Sequence, residues 1–269
     1  MQYAKEISVK YSILPKKKFG QNFLVDDAVI SDIVSNADVV GRTILEIGPG
    51  TGNMTKEILR AGAKSVIVVE RDDECMSALI DLRNQHHNLE IINEDALKID
   101  ESIFVKHGEK LKIVSNLPYN VGTALLVKWL KKIDLFDDMV LMFQKEVADR
   151  IVAVPKTSKY GRLSVITQLL CSTKKLFDVA PEAFWPAPKV TSSVIFLSKR
   201  PKPLSDCNFS VLEDFLQIAF SQKRKMLRNT LKKVYGDEAL NILDLHGIAK
   251  TARAEELTVE KLCELSQYK

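Results

Sequence analysis

The chain has 269 residues, of which 46% are hydrophobic, and its 39 basic and 35 acidic residues give a formal net charge of +4. A chain of this size can bury a large core, so we expect one large domain and a small one. No apolar stretch reaches the ~20 residues of a membrane span and the N-terminus has no signal-peptide pattern, which indicates a cytoplasmic protein.

The N-terminal part contains a short motif followed by a helix. The helix is predicted over residues 26–37, with Asp26 as its N-cap. The motif, Phe19-Gly20-Gln21-Asn22-Phe23-Leu24, lies just before it. We interpret this motif as a lid segment that folds across a ligand. A loosely packed N-terminal tail is the alternative.

From about residue 43 to residue 143, short apolar runs alternate with helical stretches. Strands are predicted over residues 43–47, 66–70, 89–93, 111–115 and 139–143, and helices over residues 53–61, 72–83 and 123–132. This alternation predicts a doubly wound α/β fold with a mainly parallel sheet. Ligands of such sheets bind at the carboxyl ends of the strands.

The first strand leads into a glycine-rich turn, Glu46-Ile47-Gly48-Pro49-Gly50-Thr51-Gly52. Its third glycine comes one residue too early for the pyrophosphate fingerprint G-x-G-x-x-G. Glu70 ends the second strand, where its carboxylate can accept both hydroxyls of a ribose, as in NAD or S-adenosylmethionine. Asp95 ends the third strand. With Glu46 and Glu70 it makes this edge of the sheet acidic, which disfavours a ligand that carries phosphates. The pattern therefore favours S-adenosylmethionine.

The fourth strand ends in Asn116-Leu117-Pro118-Tyr119. A neutral amide, a backbone carbonyl next to proline and an aromatic face meet there. These groups can hold a flat base and accept hydrogen bonds from its exocyclic amine. A proline-terminated strand with a capping Asn is the structural alternative.

The C-terminal part of the chain changes to a mainly helical pattern. Helices are predicted over residues 145–154 and 163–171, then strands over residues 175–179 and 190–197. The segment Arg200-Pro201-Lys202-Pro203 is predicted to be a linker, because two prolines at this spacing disfavour a helix. We therefore predict a large domain over residues 1–199 and a small all-α domain over residues 200–269.

Charge and cysteine patterns restrict the partners. Basic residues cluster at Lys16 to Lys18, at Lys156, Lys159 and Arg162, and at Lys223, Arg224, Lys225, Arg228, Lys232 and Lys233. Such clusters favour a polyanion, although solvated helix faces are the alternative. The four cysteines, Cys75, Cys171, Cys207 and Cys263, form neither a zinc pattern nor a disulfide framework, so we expect a reducing compartment and no metal.

Taken in order, these motifs resemble those of the ribosomal RNA adenine N6-dimethyltransferases, in particular the small-subunit enzymes whose loss gives kasugamycin resistance. The resemblance covers nearly the whole chain and extends to residues 184–193 and 220–229. It implies a Rossmann-like S-adenosylmethionine-dependent methyltransferase domain followed by a helical domain that faces rRNA. Thr191, where the family often has an acid, and Lys223, where it often has arginine, are departures.

The resemblance also implies roles for individual residues. S-adenosylmethionine would contact Asn22, Leu24, Gly48, Glu70, Asp95 and Asn116. The catalytic group would be Asn116, Leu117, Pro118, Tyr119 and Phe184, with the target adenine between the rings of Tyr119 and Phe184. RNA would be bound by Lys223, Arg224, Lys225 and Arg228. The expected substrate is a pair of adjacent adenosines in a hairpin loop near the 3′ end of small-subunit rRNA within an assembling 30S subunit, and we expect a monomer.

Three other functions remain open at this stage. Large-subunit rRNA methyltransferases of the macrolide-resistance type share the fold and the aromatic motif at the strand end. A non-catalytic ribosome-assembly factor would explain the basic clusters alone. A nicotinamide dehydrogenase is the most distant alternative, since the sequence offers no convincing catalytic His or Lys–Tyr pair.

Overall fold

The computed structural model describes residues 10–11, 13–16, 20–105, 108–222 and 225–268. The chain forms two compact units, one of residues 1–148 and 174–199 and another of residues 149–173 and 200–269. The domain limits at residues 199 and 200 remain a prediction. The bounds of the compact units differ from these domain limits because residues 149–173 group with the C-terminal part of the chain.

The first unit is built on a mixed β-sheet. Its strands in the described residues are β2 (Thr43–Ile47), β3 (Ser65–Glu70), β4 (Leu89–Asn93), β5 (Leu111–Asn116), β6 (Phe136–Gln144), β7 (Cys171–Val179) and β9 (Ser192–Lys199). The first three residues of β7 group with the second unit. The order across the sheet is β4-β3-β2-β5-β6-β9-β7. The five strands β4, β3, β2, β5 and β6 are parallel to one another, and β9 pairs antiparallel with β6. A separate two-stranded ribbon joins β1 (Phe23–Leu24) to β8 (Phe184–Trp185).

Four helices accompany the strands of this unit in the described part of the chain: α1 (Asp27–Ser35), α2 (Asn53–Arg60), α3 (Asp73–Gln85) and α4 (Gly122–Leu130). The predicted N-cap of α1 is confirmed, because Asp26 accepts hydrogen bonds from the backbone of Ala28 and Val29. Asp72 caps α3 in the same way. Strand β3 is buried on both faces, as its continuous apolar run predicts.

The order of the strands creates a crevice between β2 and β5. The chain runs outwards from β2 through β3 to β4 and then returns to add β5 on the other side of β2. The loops that follow β2 and β5 therefore leave the sheet in different directions, which is where doubly wound sheets bind ligands. The Ser115 hydroxyl donates to the Ile47 carbonyl over 2.7 Å, which fixes the two strand ends side by side.

The second unit is mainly helical. Its described helices are α5 (Lys145–Val152), whose first residues belong to the first unit, α6 (Arg162–Leu170), α7 (Phe209–Ala219), α8 (Leu227–Tyr235), α9 (Ala239–Leu245) and α10 (Val259–Ser266). The helix predicted through Cys171 ends at Leu170 instead, because Cys171 takes up extended backbone angles and begins β7. None of the helices in the described residues has the length and apolar run that a bilayer crossing needs.

Candidate active site

A cleft of about 950 Å³ lies at the crevice between β2 and β5. Three segments of the first unit line it: the glycine-rich turn after β2, the loop after β5 and residues 20–24, which we call the lid segment. The ends of β3 and β4 add Glu70, Arg71, Glu94 and Asp95. This volume includes space that is open to solvent.

The structure brings nearly all predicted ligand and catalytic residues together here. The lining includes Asn22, Leu24, Gly48, Glu70, Asp95, Asn116, Leu117, Pro118 and Tyr119. Phe184 is not among them: its ring is 4% exposed and packs in the hydrophobic core of the first unit. Its backbone pairs with Leu24 of the lid segment.

The lid segment is attached to both sides of the cleft. The Asn53 side-chain amide donates to the Leu24 carbonyl over 2.9 Å, and the Asn116 amide donates to the Asn22 carbonyl over 3.3 Å. The Phe23 ring stacks on Trp185 with 6.3 Å between ring centroids. Phe19, the first residue of the sequence motif, lies outside the described residues.

A polar contact ties the lid segment to the start of α3. The Gln21 side chain donates to the Asp72 carboxylate over 2.9 Å, and Lys16 forms an ion pair with the same carboxylate at 2.6 Å. These partners hold the pKa of Asp72 below its ordinary value, although burial opposes them. Neither Gln21 nor Asp72 is a predicted site residue, since residues 51 positions apart carry no local signal of contact.

Two glycines allow the close approach of the loops. Gly50 has φ +55°, and a Cβ atom there would lie 2.6 Å from the Phe23 ring. Gly48 has φ +68°, and its Cβ would lie 3.3 Å from the Pro118 ring. Both positions therefore need glycine for backbone conformation and for space.

Glu70 is fixed at the end of β3 by backbone donors. Its two carboxylate oxygens accept from the backbone N–H groups of Gly50, at 3.1 Å, and of Asp72, at 2.9 Å. Burial raises the pKa of Glu70, and the backbone hydrogen bonds act against this. Each oxygen keeps a further lone pair, so the carboxylate can still accept from a ligand hydroxyl.

Glu46 is a buried acid within the glycine-rich motif and is not a predicted site residue. It is 1% exposed, and the Thr55 hydroxyl donates to its carboxyl group over 2.6 Å. Burial raises the pKa of Glu46 to about 8, and the nearby Glu70 carboxylate adds to the rise. The side chain is therefore mainly protonated and neutral at pH 7. A glutamate inside the apolar strand β2 is the signal that could have singled it out.

Asp95 lies at the end of β4 in a turn that uses part of its carboxylate. One oxygen accepts from the Leu97 backbone over 3.0 Å, and the other lies 3.7 Å from the Arg71 guanidinium. Among the described lining residues, Arg71 is the one basic side chain, against four acidic ones, of which Glu46 is mainly neutral at pH 7. This balance fits a cationic ligand and disfavours a row of phosphates.

The loop after β5 presents an amide and an aromatic ring. Because the Asn116 amino group donates to the lid segment, its side-chain oxygen is left as an acceptor. The Tyr119 hydroxyl lies 2.6 Å from the Ser192 hydroxyl at the start of β9. Burial raises the pKa of Tyr119, so the phenol is neutral at physiological pH. The Pro118 carbonyl accepts from Val121 and Gly122, which closes the turn into α4.

The second unit carries the predicted RNA-binding residues. Lys225 and Arg228 are exposed, and Arg228 lies in the first turn of α8. Lys223 and Arg224 lie outside the described residues. No group of three or more potential metal-ligating His, Cys, Asp or Glu side chains occurs in the ranges that the structure describes.

Comparison with known proteins gives matches over almost the whole chain. The family model described as "Ribosomal RNA adenine dimethylase" matches residues 14–269. A protein of Paramagnetospirillum magneticum named "Ribosomal RNA small subunit methyltransferase A" is 43% identical over 266 residues, 98% of this chain and 93% of its own. A protein of the same name from Wolbachia pipientis wMel is 40% identical over 259 residues, 96% of this chain and 90% of its own.

Two solved structures are similar over about nine tenths of the chain. A dimethyladenosine transferase from Plasmodium falciparum superposes with a TM-score of 0.74 at 28% identity, covering 90% of this chain and 95% of its own. The 23S rRNA methyltransferase ErmE superposes with a TM-score of 0.68 at 26% identity, covering 91% of this chain and 98% of its own.

Proposed function

The chain belongs to the ribosomal RNA adenine dimethylase family, and we propose that it dimethylates the N6 atoms of two adjacent adenosines in a hairpin loop near the 3′ end of small-subunit rRNA. The observation that carries the proposal is a single cleft lined by both the glycine-rich turn and residues 116–119. A methyl donor and an adenine bound to these two segments would be neighbours. The chain is an enzyme of the methyltransferase class.

S-adenosylmethionine is the methyl donor that the lining residues suit. Glu70 offers carboxylate oxygens at the end of β3, and the acidic balance of the lining favours a positively charged ligand. Asn22, Leu24, Gly48 and Asp95 would complete the donor site. When bound, this cofactor supplies an electrophilic methyl group on a sulfonium centre.

Asn116 and Leu117 would prepare the adenine for attack. The exocyclic nitrogen of adenine is a poor nucleophile because its lone pair is delocalised into the ring. An Asn116 side-chain oxygen and a Leu117 carbonyl that accept its two N–H groups would draw the nitrogen towards tetrahedral geometry. The bond from the Asn116 amino group to Asn22 holds the amide in the orientation that this role needs. Positioning and amide dipoles, rather than a strong base, would provide the rate.

Tyr119 would hold the extruded base by stacking. A base–aromatic contact is worth about 1–3 kcal/mol, which offsets the cost of removing the adenine from its loop. Phe184 is the proposed second ring. Because it is 4% exposed, stacking on it requires the ring to become accessible when RNA binds.

The small subunit is the favoured source of the RNA. Relatives that are 40% to 44% identical over at least 95% of this chain carry the small-subunit name, whereas the large-subunit enzyme is 26% identical. Exposed Lys225 and Arg228 in the second unit would bind phosphates. We further propose that the protein acts as a monomer in the cytoplasm, on an assembling 30S subunit.

The test is incubation of the protein with immature small subunits and radiolabelled S-adenosylmethionine, followed by nucleotide analysis of the rRNA. We expect label in N6,N6-dimethyladenosine at two neighbouring positions near the 3′ end of the small-subunit rRNA. Naked rRNA and large ribosomal subunits are incubated in parallel as alternative substrates. Label confined to large-subunit rRNA would move the enzyme to the macrolide-resistance type. Calorimetric binding of S-adenosylmethionine without label in any rRNA would refute the proposed substrate.

A further inference from the structure

Two cysteines of the second unit meet although they are far apart in the sequence. The Sγ atoms of Cys207 and Cys263 lie 2.9 Å apart, across a separation of 56 residues. Both are free thiols. Their spacing in the sequence contains no redox motif, so the contact is created by the fold.

Backbone contacts hold both cysteines in place. Cys263 lies inside helix α10, and its carbonyl accepts from the Ser266 hydroxyl over 2.7 Å and from the Gln267 backbone over 3.3 Å. Cys207 directly precedes Asn208, the N-cap of α7. The Asn208 backbone in turn donates to the Gln267 side chain over 3.1 Å. The sulfur pair is therefore positioned by the helices themselves.

The two sulfurs differ in accessibility. Cys263 is fully buried, whereas Cys207 is half-buried and lies between exposed Asp206 and Asn208. The hydrogen bond with Cys263 lowers the pKa of Cys207, while that bond and burial raise the pKa of Cys263. A small oxidant therefore reaches Cys207 first, and this sulfur is also the one that ionises more readily.

We propose that Cys207 and Cys263 form an oxidation site that a peroxide converts reversibly into a disulfide bond. The Cys207 thiolate attacks one peroxide oxygen, the O–O bond breaks, and the products are a sulfenic acid on Cys207 and a hydroxide that takes up a proton to become water. The Cys263 sulfur then attacks the Cys207 sulfur. Its S–H proton leaves with the sulfenic oxygen as a second water, and the S–S bond is formed. Overall, two thiols lose two electrons and two protons, and the peroxide gains them.

The bond would join the start of α7 to α10. The sulfurs need to move closer by about 1 Å to reach the bond length of about 2.05 Å. The disulfide closes a long loop that contains α7, α8 and α9, and closing a long loop restricts the unfolded chain. The oxidised protein should therefore melt a few degrees higher than the reduced protein. This inference does not depend on the proposed methyl transfer.

The experiment treats the full-length protein with a small excess of hydrogen peroxide, blocks the remaining thiols under denaturing conditions and analyses the protein by mass spectrometry. We expect the oxidised protein to take up two blocking groups instead of four, with a peptide that links Cys207 to Cys263 by a disulfide bond. Cys75 and Cys171, which are both buried, should remain alkylatable. Dithiothreitol added before the blocking step should restore all four thiols to alkylation and return the protein to the lower melting temperature.

Three variants decide the roles of the two sulfurs. Cys207→Ser should leave Cys263 reduced. Cys263→Ser should stop the reaction at a sulfenic acid on Cys207, which dimedone traps. Cys171→Ser, at another buried cysteine of the second unit, should still form the bond. The proposal is overturned if peroxide takes Cys207 directly to sulfinic acid in the unaltered protein, or if the linked peptide contains Cys75 or Cys171.

Discussion

The hydroxyl of Tyr119 lies 2.6 Å from the hydroxyl of Ser192, which is fully buried at the start of β9. Either oxygen can donate, and the bond joins the loop after β5 to a strand 73 residues further along the chain. It fixes the position of the ring on which we propose that the target adenine stacks. Ser192 is thus a positioning residue for Tyr119.

Removal of this bond should reduce methyl transfer without weakening the binding of the cofactor. A hydrogen bond of this kind is worth about 1 kcal/mol, so Ser192→Ala should lower kcat/KM for rRNA roughly fivefold. Tyr119→Phe should cost a similar amount, and the double variant should cost little more than either change alone. Ser193→Ala is the matched control, because Ser193 is equally buried but donates to Asp178. Fully additive effects would exclude the positioning role.

Gly50→Ala should disturb the lid segment. The new methyl group would lie 2.6 Å from the Phe23 ring, so the lid segment has to move away from the glycine-rich turn. We expect the affinity for S-adenosylmethionine to fall about tenfold or more, equivalent to at least about 1.4 kcal/mol, measured by calorimetry. Gly41→Ala is the control for backbone strain alone. Gly41 also has a positive φ, +68°, but no atom lies within 4 Å of its Cβ position. Equal losses in both variants would show that the Phe23 contact is unimportant.

Asn116→Ala should affect the chemical step most. Loss of the acceptor oxygen should lower kcat about 10²-fold, by analogy with removal of one preorganised polar group from an active site. Cofactor affinity should change only a few-fold, because the lid segment loses a single hydrogen bond of 3.3 Å. Asn120→Ala, in the same loop, should retain most of the activity. A rate near that of the unaltered enzyme would remove Asn116 from the mechanism.

The buried Glu46 should make stability depend on pH. Burial raises the pKa of Glu46 from 4.5 to about 8, so the folded state binds a proton that the unfolded state has already released. The stabilisation from this group is complete below about pH 4.5 and is lost as the pH rises through about 8, with a slope of at most about 1.4 kcal/mol per pH unit.

Glu46→Gln should remove this dependence, because the amide keeps an acceptor for Thr55 but does not titrate. The free energies of unfolding of the two proteins, measured with urea between pH 5 and pH 9, should therefore diverge in favour of the variant as the pH rises. Parallel curves would mean that Glu46 is ionised in the folded protein throughout this range.

Arg228→Ala should weaken rRNA binding in a salt-dependent way. If the exposed Arg228 neutralises one phosphate, the slope of log K against log salt should become shallower by about 0.7–0.9. Lys250→Ala is the control, since Lys250 is also exposed in the second unit but forms an ion pair with Asp244 at 3.0 Å. Filter binding at several salt concentrations measures both slopes, and an unchanged slope for Arg228→Ala would exclude a phosphate contact there.

The sequence predicted the strands of the sheet well because their signals are local. The bounds of β2 and β4 agree with the predictions over residues 43–47 and 89–93, and β5 differs by one residue. The Rossmann-like methyltransferase fold that the resemblance implied is confirmed by the solved structures of related enzymes. Each of these features follows from short apolar runs that end at glycine, asparagine or an acid.

The features that could not be predicted from the sequence depend on contacts between distant segments. The two-residue strand β8 exists only because β1 pairs with it, and two residues have no periodicity of their own. The contacts Tyr119–Ser192 and Cys207–Cys263 also join segments more than 50 residues apart. The position of Phe184 in the core likewise follows from its pairing with Leu24.

The attachment of the lid segment has a consequence for kinetics. The same five residues pack on the turn proposed for the methyl donor, orient the amide proposed for the adenine, and pair with the strand that carries Phe184. A substitution in the lid segment therefore affects the binding of both the RNA and the cofactor. Variants of residues 20–24 should raise the Michaelis constants for nucleic acid and for cofactor together. Such variants therefore cannot be divided into those that affect only the RNA and those that affect only the cofactor.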